Sequence, residues 1–139
     1  MSPRKPPRVQ VALAVIERNG RVLICRRRVS DHLGGYWEFP GGKKEAGEPW
    51  ERCLRRELRE ELGVEVRRLQ PFGRIRHQYP DRLIAFRVFR CHLARGHPKP
   101  LRAQAVRWVT AARLPQYRFP PADQALIGRL LRRRERAIL

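Results

Sequence analysis

Three glutamates, Glu57, Glu60 and Glu61, lie close together in a segment that is otherwise rich in leucine and arginine. Each residue of an α-helix turns the helical wheel by about 100°, so the three carboxylates share an arc of roughly 100°. Three leucines form an adjoining apolar stripe: Leu54, Leu58 and Leu62. The spacing therefore predicts a helix from about Pro49 to Leu62 with a buried stripe, an acidic edge and an arginine-rich solvated face.

The acidic edge predicts a site for a divalent cation and phosphate. Two like charges about 4 Å apart repel by on the order of 1 kcal/mol in water, and by more where water is excluded. Mg²⁺, or Mn²⁺ in its place, relieves this repulsion and completes its coordination shell with water and phosphate oxygens. The alternative is a solvated helix with Glu–Arg pairs such as Arg56 with Glu60.

A glycine turn precedes the helix, in the run Trp37-Glu38-Phe39-Pro40-Gly41-Gly42-Lys43. Glycine lets the backbone approach an ion or a phosphate without obstruction from a Cβ atom. From Gly42 to Val64 the chain then reads Gly-x5-Glu-x7-Arg-Glu-Leu-x-Glu-Glu-x-Gly-Val. This segment resembles the Nudix hydrolase box at every specified position.

The resemblance extends over most of the chain and is strongest to the MutT-like branch of Nudix hydrolases. It includes an Arg-Arg pair that ends the second strand, a loop histidine, the Glu-Phe-Pro-Gly-Gly-Lys turn, the box and a late Phe-Pro-Pro-Ala-Asp. It implies Mg²⁺-dependent hydrolysis of nucleoside triphosphates to a monophosphate and pyrophosphate. The implied role is sanitation of the nucleotide pool, of the 8-oxo-dGTP type, in the service of DNA repair.

The resemblance also implies roles for the residues of the box. Glu57 is expected to activate water or to bind metal, and Glu60 and Glu61 to bind metal. Gly41 would supply a carbonyl ligand, and Arg56 would orient Glu57. The helical wheel does not separate these roles.

Residues outside the box are expected to bind the nucleotide. Arg27, His32 and Phe39 stand at the offsets where MutT-like proteins place groups that contact phosphate, sugar and base. The turn adds further substrate-binding candidates: Glu38, Pro40, Gly41 and Lys43. The ordinary alternatives are a strand-end arginine, a loop histidine and a core phenylalanine.

Two positions depart from the pattern of the relatives. MutT has asparagine where this chain has Asp123, and an ionised aspartate only accepts hydrogen bonds. It suits the N7–H of an 8-oxopurine or the amino group of cytosine or adenine, and relatives that act on cytidine nucleotides carry aspartate there; a helix cap is the alternative role. Relatives often carry a metal-binding glutamate where this chain has Arg102, so the metal site is weaker, water or Asp81 takes the place of the glutamate, or Arg102 contacts the triphosphate.

The net charge of +19 comes mainly from arginines spread along the chain. Such a charge attracts nucleotides and nucleic acid alike, but the wide distribution favours solvated faces over a dedicated nucleic-acid surface. No long apolar run or signal-like leader is present, so a cytoplasmic monomer or small homo-oligomer without a membrane partner is expected. Three cysteines without metal-binding spacing predict buried, reduced thiols: Cys25, Cys53 and Cys91.

The order of predicted elements favours an α/β fold. A basic arm at residues 1–8 precedes one expected domain at 9–139. Asn19-Gly20 predicts a hairpin between the strands at Val9–Glu17 and Val22–Arg27. Four further strands and a closing helix are predicted: Tyr36–Phe39, Val64–Ile75, Leu83–Leu93, Val106–Val109 and Ala122–Arg136. Together with the Nudix resemblance, these elements predict an α/β/α sandwich with a mixed β-sheet between helices.

Three other functions fit parts of the sequence. A cytidine-type triphosphate pyrophosphohydrolase fits Asp123. An RNA 5′-end pyrophosphohydrolase fits the positive charge and would show steep salt dependence. A non-catalytic module that recognises an oxidised base, like the Nudix-like domain of adenine glycosylases, shares the Trp-x-Phe-Pro-Gly-Gly-Lys turn but lacks the full acidic box that this chain keeps.

Overall fold

A computed structural model describes residues 8–138 of the chain, with side chains for residues 8–133. Residues 1–7 of the predicted basic arm lie outside the described residues, and Arg8 begins the first strand. The strands and helices follow in this order: β1 Arg8–Arg18, β2 Arg21–Arg26, β3 Trp37–Glu38, β4 Gly41–Lys43, α1 Trp50–Leu62, β5 Glu65–Tyr79, β6 Arg82–Arg95, β7 Ala105–Thr110 and α2 Gln124–Ile138. Two 3₁₀ turns, Ala111–Gln116 and Pro121–Asp123, connect β7 to α2.

Strand β1 organises the sheet because it pairs along both edges. It runs parallel to β6 on one edge, where Val11 aligns with Phe86. Its other edge pairs antiparallel with β4 and, further along, with β2. Strands β5 and β7 extend the sheet by antiparallel pairing with β6 and β2. The mixed sheet predicted from the order of elements is confirmed.

The sheet separates two apolar cores, and this explains the unbroken apolar run in β1. Alternate residues of a strand point to opposite faces. Leu13 and Val15 pack in the core that contains Leu126 of α2. Ala14 and Ile16 pack in the core beneath α1. A strand covered on both faces needs apolar residues at every position, and residues 12–16 of β1 are all buried.

Helix α1 buries the stripe that the helical wheel predicts. Leu54, Leu58 and Leu62 are each 0 % exposed. The helix ends at Gly63, whose backbone adopts the left-handed conformation with φ 67° and donates its N–H to the carbonyl of Arg59. Glycine is the residue that accepts this cap without strain. Gly63 is therefore the residue that ends α1 and sets its length.

Several predictions about local structure are confirmed and two are wrong. Asn19 and Gly20 both have positive φ, as the hairpin turn requires. Gly41–Lys43, expected to be a turn, is instead a short strand, because the absence of a side chain at Gly41 lets it lie directly against β1. The last helix begins at Gln124 and not at Ala122, since the tight 3₁₀ turn that includes Ala122 and Asp123 precedes it.

The three cysteines are buried and unbridged, as predicted. In the part of the chain that the structure describes, neither helix is long and apolar enough to cross a membrane.

A substitution at Gly41 tests how closely β4 must approach β1. A Cβ atom at Gly41 would overlap the carbonyl oxygen of Ala12, whereas Gly47 has a similar need for positive φ but open space around it. We expect Gly41→Ala to lower the free energy of unfolding by about 2–4 kcal/mol, and Gly47→Ala by about 1–2 kcal/mol from backbone strain alone. Urea denaturation of both variants measures the difference. Equal losses would contradict the close packing at Gly41.

Candidate active site

The carboxylate of Glu57 lies against the backbone of the glycine segment. A Cβ atom at Gly42 would overlap the Glu57 carboxyl group. Strand β4 positions Gly42, and the second half of α1 positions Glu57. The two glycines therefore serve different neighbours, because Gly41 makes room for β1 and Gly42 makes room for Glu57.

Glu61 is tied to the same segment one helical turn later. Its Oε2 accepts a hydrogen bond of 2.8 Å from the backbone N–H of Gly41. Glu57 and Glu61 thus face β4 from successive turns of α1, as the predicted acidic edge requires.

Arg56 links α1 to the loop that precedes it. Its Nε and Nη2 donate to both oxygens of Glu48 at 2.8 and 2.9 Å, which is the paired geometry that a guanidinium and a carboxylate favour. Its Nη1 donates to Glu57 Oε1 at 2.7 Å, and its Nη2 also reaches the Lys43 carbonyl at 3.1 Å. The contact that an orienting role for Arg56 requires is therefore present; the role itself stays a prediction.

Glu60 differs from Glu57 and Glu61 in its hydrogen-bond partners. Its Oε2 is 3.4 Å from Arg56 Nη1 and 3.2 Å from Arg102 Nη1. The Arg56–Glu60 pair that the helical spacing suggests is present, but it is one of two arginine contacts to the same oxygen.

Burial makes the carboxyl groups of Glu57 and Glu61 harder to ionise than an exposed glutamate, and their neighbours do not offset this cost. Burial raises the pKa of Glu57, opposed by Arg56 and reinforced by Glu60. Burial raises the pKa of Glu61 to about 8, opposed by the Gly41 N–H and reinforced by Glu38 and Glu57. The pKa of Glu48 is instead lowered to about 2 by its hydrogen bonds with Arg56. A cation beside Glu57 and Glu61 would favour their ionised forms, whereas Arg56 already provides a positive charge for Glu48.

This arrangement fits a divalent cation, although it is not a finished ligand cage. The carboxyl groups of Glu57 and Glu61, beside a glycine backbone, supply the oxygen donors that Mg²⁺ and Mn²⁺ prefer. Among the described residues, no three His, Cys, Asp or Glu side chains are gathered to hold one ion. Glu57 and Glu61 would therefore hold the metal together with water and substrate oxygens, and Glu60 would join after leaving its arginines.

A second cluster of polar groups lies at the end of β2. Arg27 Nη1 donates to Glu38 Oε2 at 2.7 Å, and Arg27 Nε donates to the His32 carbonyl at 2.7 Å. The predicted substrate residues Arg27, His32 and Glu38 are thus adjacent. The contact from His32 is made by its backbone, while its side chain lies at the exposed surface.

Phe39, which follows Glu38 in the chain, lies in the apolar core. It is 1 % exposed and stacks on Phe119, with ring centroids 5.3 Å apart. In this structure Phe39 offers almost no surface to a ligand, so the ordinary alternative, a core phenylalanine, describes its position.

Asp123 is the one buried charged side chain among the described residues, at 7 % exposure. Burial raises its pKa to about 7, with Glu38 raising it further and Arg27 opposing the rise. No hydrogen bond contributes to this pKa, so the structure gives no support to the helix-cap alternative. In its protonated form the carboxyl can donate as well as accept a hydrogen bond.

Two further predicted residues act through their backbone. The Pro40 carbonyl accepts a hydrogen bond from the Ala14 N–H at 2.9 Å. Lys43 is exposed, and its carbonyl accepts from Arg56.

Sequence reasoning left two residues out of the site. Glu48 anchors Arg56, and its fixed place in the box was a signal that could have identified it. Tyr79 lies close enough to Asp123 for the two to influence each other, since burial and then Asp123 raise the pKa of Tyr79. Tyr79 lies in β5, far from Asp123 in the sequence, and no pattern indicates the contact.

Comparison with known proteins agrees with this geometry. The model of the NUDIX domain family matches residues 11–129. An Escherichia coli 8-oxo-dGTP diphosphatase is 32 % identical over 90 % of this chain and 98 % of its own length. An E. coli CTP pyrophosphohydrolase is 33 % identical over 86 % and 88 %. A MutT Nudix hydrolase from Burkholderia pseudomallei superposes with a TM-score of 0.75 at 27 % identity, over 89 % of this chain and 96 % of that one.

The family match spans most of the chain, the relatives align over nearly their full length, and the acidic helix packs on the glycine segment as the box predicts. The chain therefore belongs to the Nudix domain family, as a MutT-like hydrolase.

Proposed function

We propose that the protein hydrolyses nucleoside triphosphates to a nucleoside monophosphate and pyrophosphate. The observation that carries the proposal is the Glu48–Arg56–Glu57 chain of hydrogen bonds, which fixes one carboxylate against the Gly42 backbone. A hydrolase of this kind needs a carboxylate held rigidly where a water molecule is to lose its proton. Glu57 has that rigidity because Arg56 holds it from one side and β4 bounds it on the other.

Each residue of the site has its own role in the proposed reaction. Glu57 accepts a proton from the attacking water as the new P–O bond forms and the bond to pyrophosphate breaks. Glu57, Glu60 and Glu61, with the Gly41 carbonyl, would hold Mg²⁺ or Mn²⁺. Bound there, the cation would neutralise charge on the phosphate oxygens. Arg56 keeps the Glu57 carboxylate aligned throughout.

The second cluster would select the nucleotide. Arg27, bound to Glu38, is half-buried and would contact phosphate or the edge of a base. Asp123 would contact the base through a carboxyl group that carries either a proton or a charge near neutral pH. An oxidised purine of the 8-oxo-dGTP type fits this donor and acceptor pattern, and one similar protein is named for that activity.

A cytidine triphosphate is the second candidate substrate. An ionised Asp123 accepts a hydrogen bond from the amino group of cytosine. A similar protein is named a CTP pyrophosphohydrolase.

A substrate panel tests the proposed function. It comprises 8-oxo-dGTP, dGTP, CTP, dCTP and an RNA with a 5′-triphosphate, each with Mg²⁺, with Mn²⁺ or with chelator. Pyrophosphate and orthophosphate are quantified separately. Pyrophosphate from an 8-oxopurine or cytidine triphosphate is the expected result. Orthophosphate alone, or no turnover of any mononucleotide, would overturn the proposal, and turnover of the RNA alone would transfer it to RNA ends.

Removing one charge at a time from the acidic edge should stop turnover without unfolding the protein. We expect Glu57→Gln and Glu60→Gln to lower kcat by about 10²–10⁴-fold, because the proton acceptor or a metal ligand is lost. Glu51→Gln, at the exposed first turn of the same helix, is the matched control and should stay near the parent rate. Near-parent turnover in both site variants would refute the assignment of the acidic edge.

The raised pKa of Asp123 predicts that the stability of the protein depends on pH. A carboxyl whose pKa is raised by burial contributes stability that is fully present below its unfolded value of 3.8 and is lost as the pH rises through about 7. Asp123→Asn removes this loss. We expect the variant to melt a few degrees above the parent protein at pH 8 and to show little gain at pH 4, as measured by thermal unfolding. A gain independent of pH would contradict the buried carboxyl.

A further inference from the structure

Arg102 lies where its charge meets the acidic edge. Its Nη1 is 3.2 Å from Glu60 Oε2, and it is 58 % exposed while Glu60 is 36 % exposed. The guanidinium thus touches one of the three glutamates of the acidic edge.

The backbone around Arg102 is docked on the end of α1. The N–H groups of Lys99 and Leu101 donate to the carbonyls of Leu62 and Glu61, each at 3.0 Å. The last carbonyls of a helix have no partner within the helix, so this loop satisfies two of them.

The other side of the loop is held by β2 and the residues after it. Arg28 Nη2 donates to the Leu101 carbonyl at 2.8 Å, and Gln104 N–H donates to the Arg26 carbonyl at 2.8 Å. Arg102 therefore stands beside Glu60 because the loop is fixed from two directions. The contact between Arg102 and Glu60 thus depends on the position of the Arg102 backbone and not only on the rotamer of its side chain.

We propose that Arg102 is a positioning residue that serves as the counter-cation of Glu60 in the nucleotide-free protein and transfers to the triphosphate when metal and nucleotide bind. This inference rests on the proposed function. A divalent cation must displace Arg102 from Glu60 or bind beside its positive charge, and both lower the affinity for metal. A triphosphate supplies the displaced guanidinium with a new anionic partner, so the metal binds best as the metal–nucleotide complex.

The exposure of the ion pair suits such an exchange. Exposed pairs contribute little to stability and are readily broken, whereas a guanidinium binds phosphate oxygens with paired hydrogen bonds. Arg56 also contacts Glu60 Oε2, but it is committed to Glu48 and Glu57. Arg102 is therefore the arginine of the two that can leave.

Mn²⁺ binding to the nucleotide-free protein tests the pairing with Glu60. We expect Arg102→Ala to tighten Mn²⁺ binding about three- to tenfold, because the Glu60 carboxylate is released from its ion pair with Arg102 and can bind the cation. Arg102→Lys keeps the charge and should stay near the parent value. Lys99→Ala removes one charge from the same loop and should change binding by less than about twofold. Electron paramagnetic resonance of free Mn²⁺ gives the isotherms, and thermal melts confirm that each variant is folded.

The path through Glu60 is tested by a double-variant cycle. In a Glu60→Gln background, Arg102→Ala should no longer tighten Mn²⁺ binding. Equal effects of Arg102→Ala and Lys99→Ala, or weaker Mn²⁺ binding in Arg102→Ala, would overturn the proposal. An effect of Arg102→Ala that persists unchanged in the Glu60→Gln background would overturn it as well.

Steady-state kinetics test the transfer to the triphosphate. We expect Arg102→Ala to raise the KM of the metal–nucleotide complex about three- to tenfold and to leave kcat within about twofold. An unchanged KM would overturn the transfer step. The Mn²⁺ isotherms need no turnover, so a parent protein that releases no pyrophosphate would refute the proposed function while the Arg102–Glu60 result still stands or falls by itself.

Discussion

The close approach of the Gly41-Gly42 backbone to its two neighbours is the constraint on which the site depends. A side chain at Gly41 would overlap β1, and one at Gly42 would overlap Glu57. The two glycines therefore set how near α1 lies to the sheet. Because α1 is held on its other side by the apolar stripe of Leu54, Leu58 and Leu62, the acidic edge has one position relative to β4. The metal and phosphate chemistry we propose follows from that position.

Arginine controls the charge of this edge from two directions. Arg56 is bound at Glu48, Glu57 and the Lys43 carbonyl, so its removal would release the helix from the preceding loop as well as expose a carboxylate. Arg102 makes one exposed contact. The first arginine is thus structural and fixed, while the second is exchangeable. A chain of net charge +19 tolerates a crowded acidic edge partly because such counter-charges stand beside it.

Sequence periodicity predicted the structural features that are set by residues close together in the chain. The helical wheel placed the buried leucines of α1, and Asn19-Gly20 placed the hairpin, because both signals are local. The pairing of Gly41–Lys43 with β1, the Arg27–Glu38 ion pair and the burial of Asp123 were not predictable in this way. Each joins segments far apart in the chain or depends on how much water the fold excludes. The family resemblance named Arg27 and Asp123 as candidates, yet only the structure shows that Asp123 has a raised pKa.

The two clusters of the site lie apart in space, but one charged group influences both of them. The acidic edge belongs to α1, and the Asp123 cluster lies where the chain enters α2, on the other face of the sheet. Glu38 lies between them, since it raises the pKa of both Glu61 and Asp123. The ion pair of Glu38 with Arg27 therefore bears on the charge of both clusters.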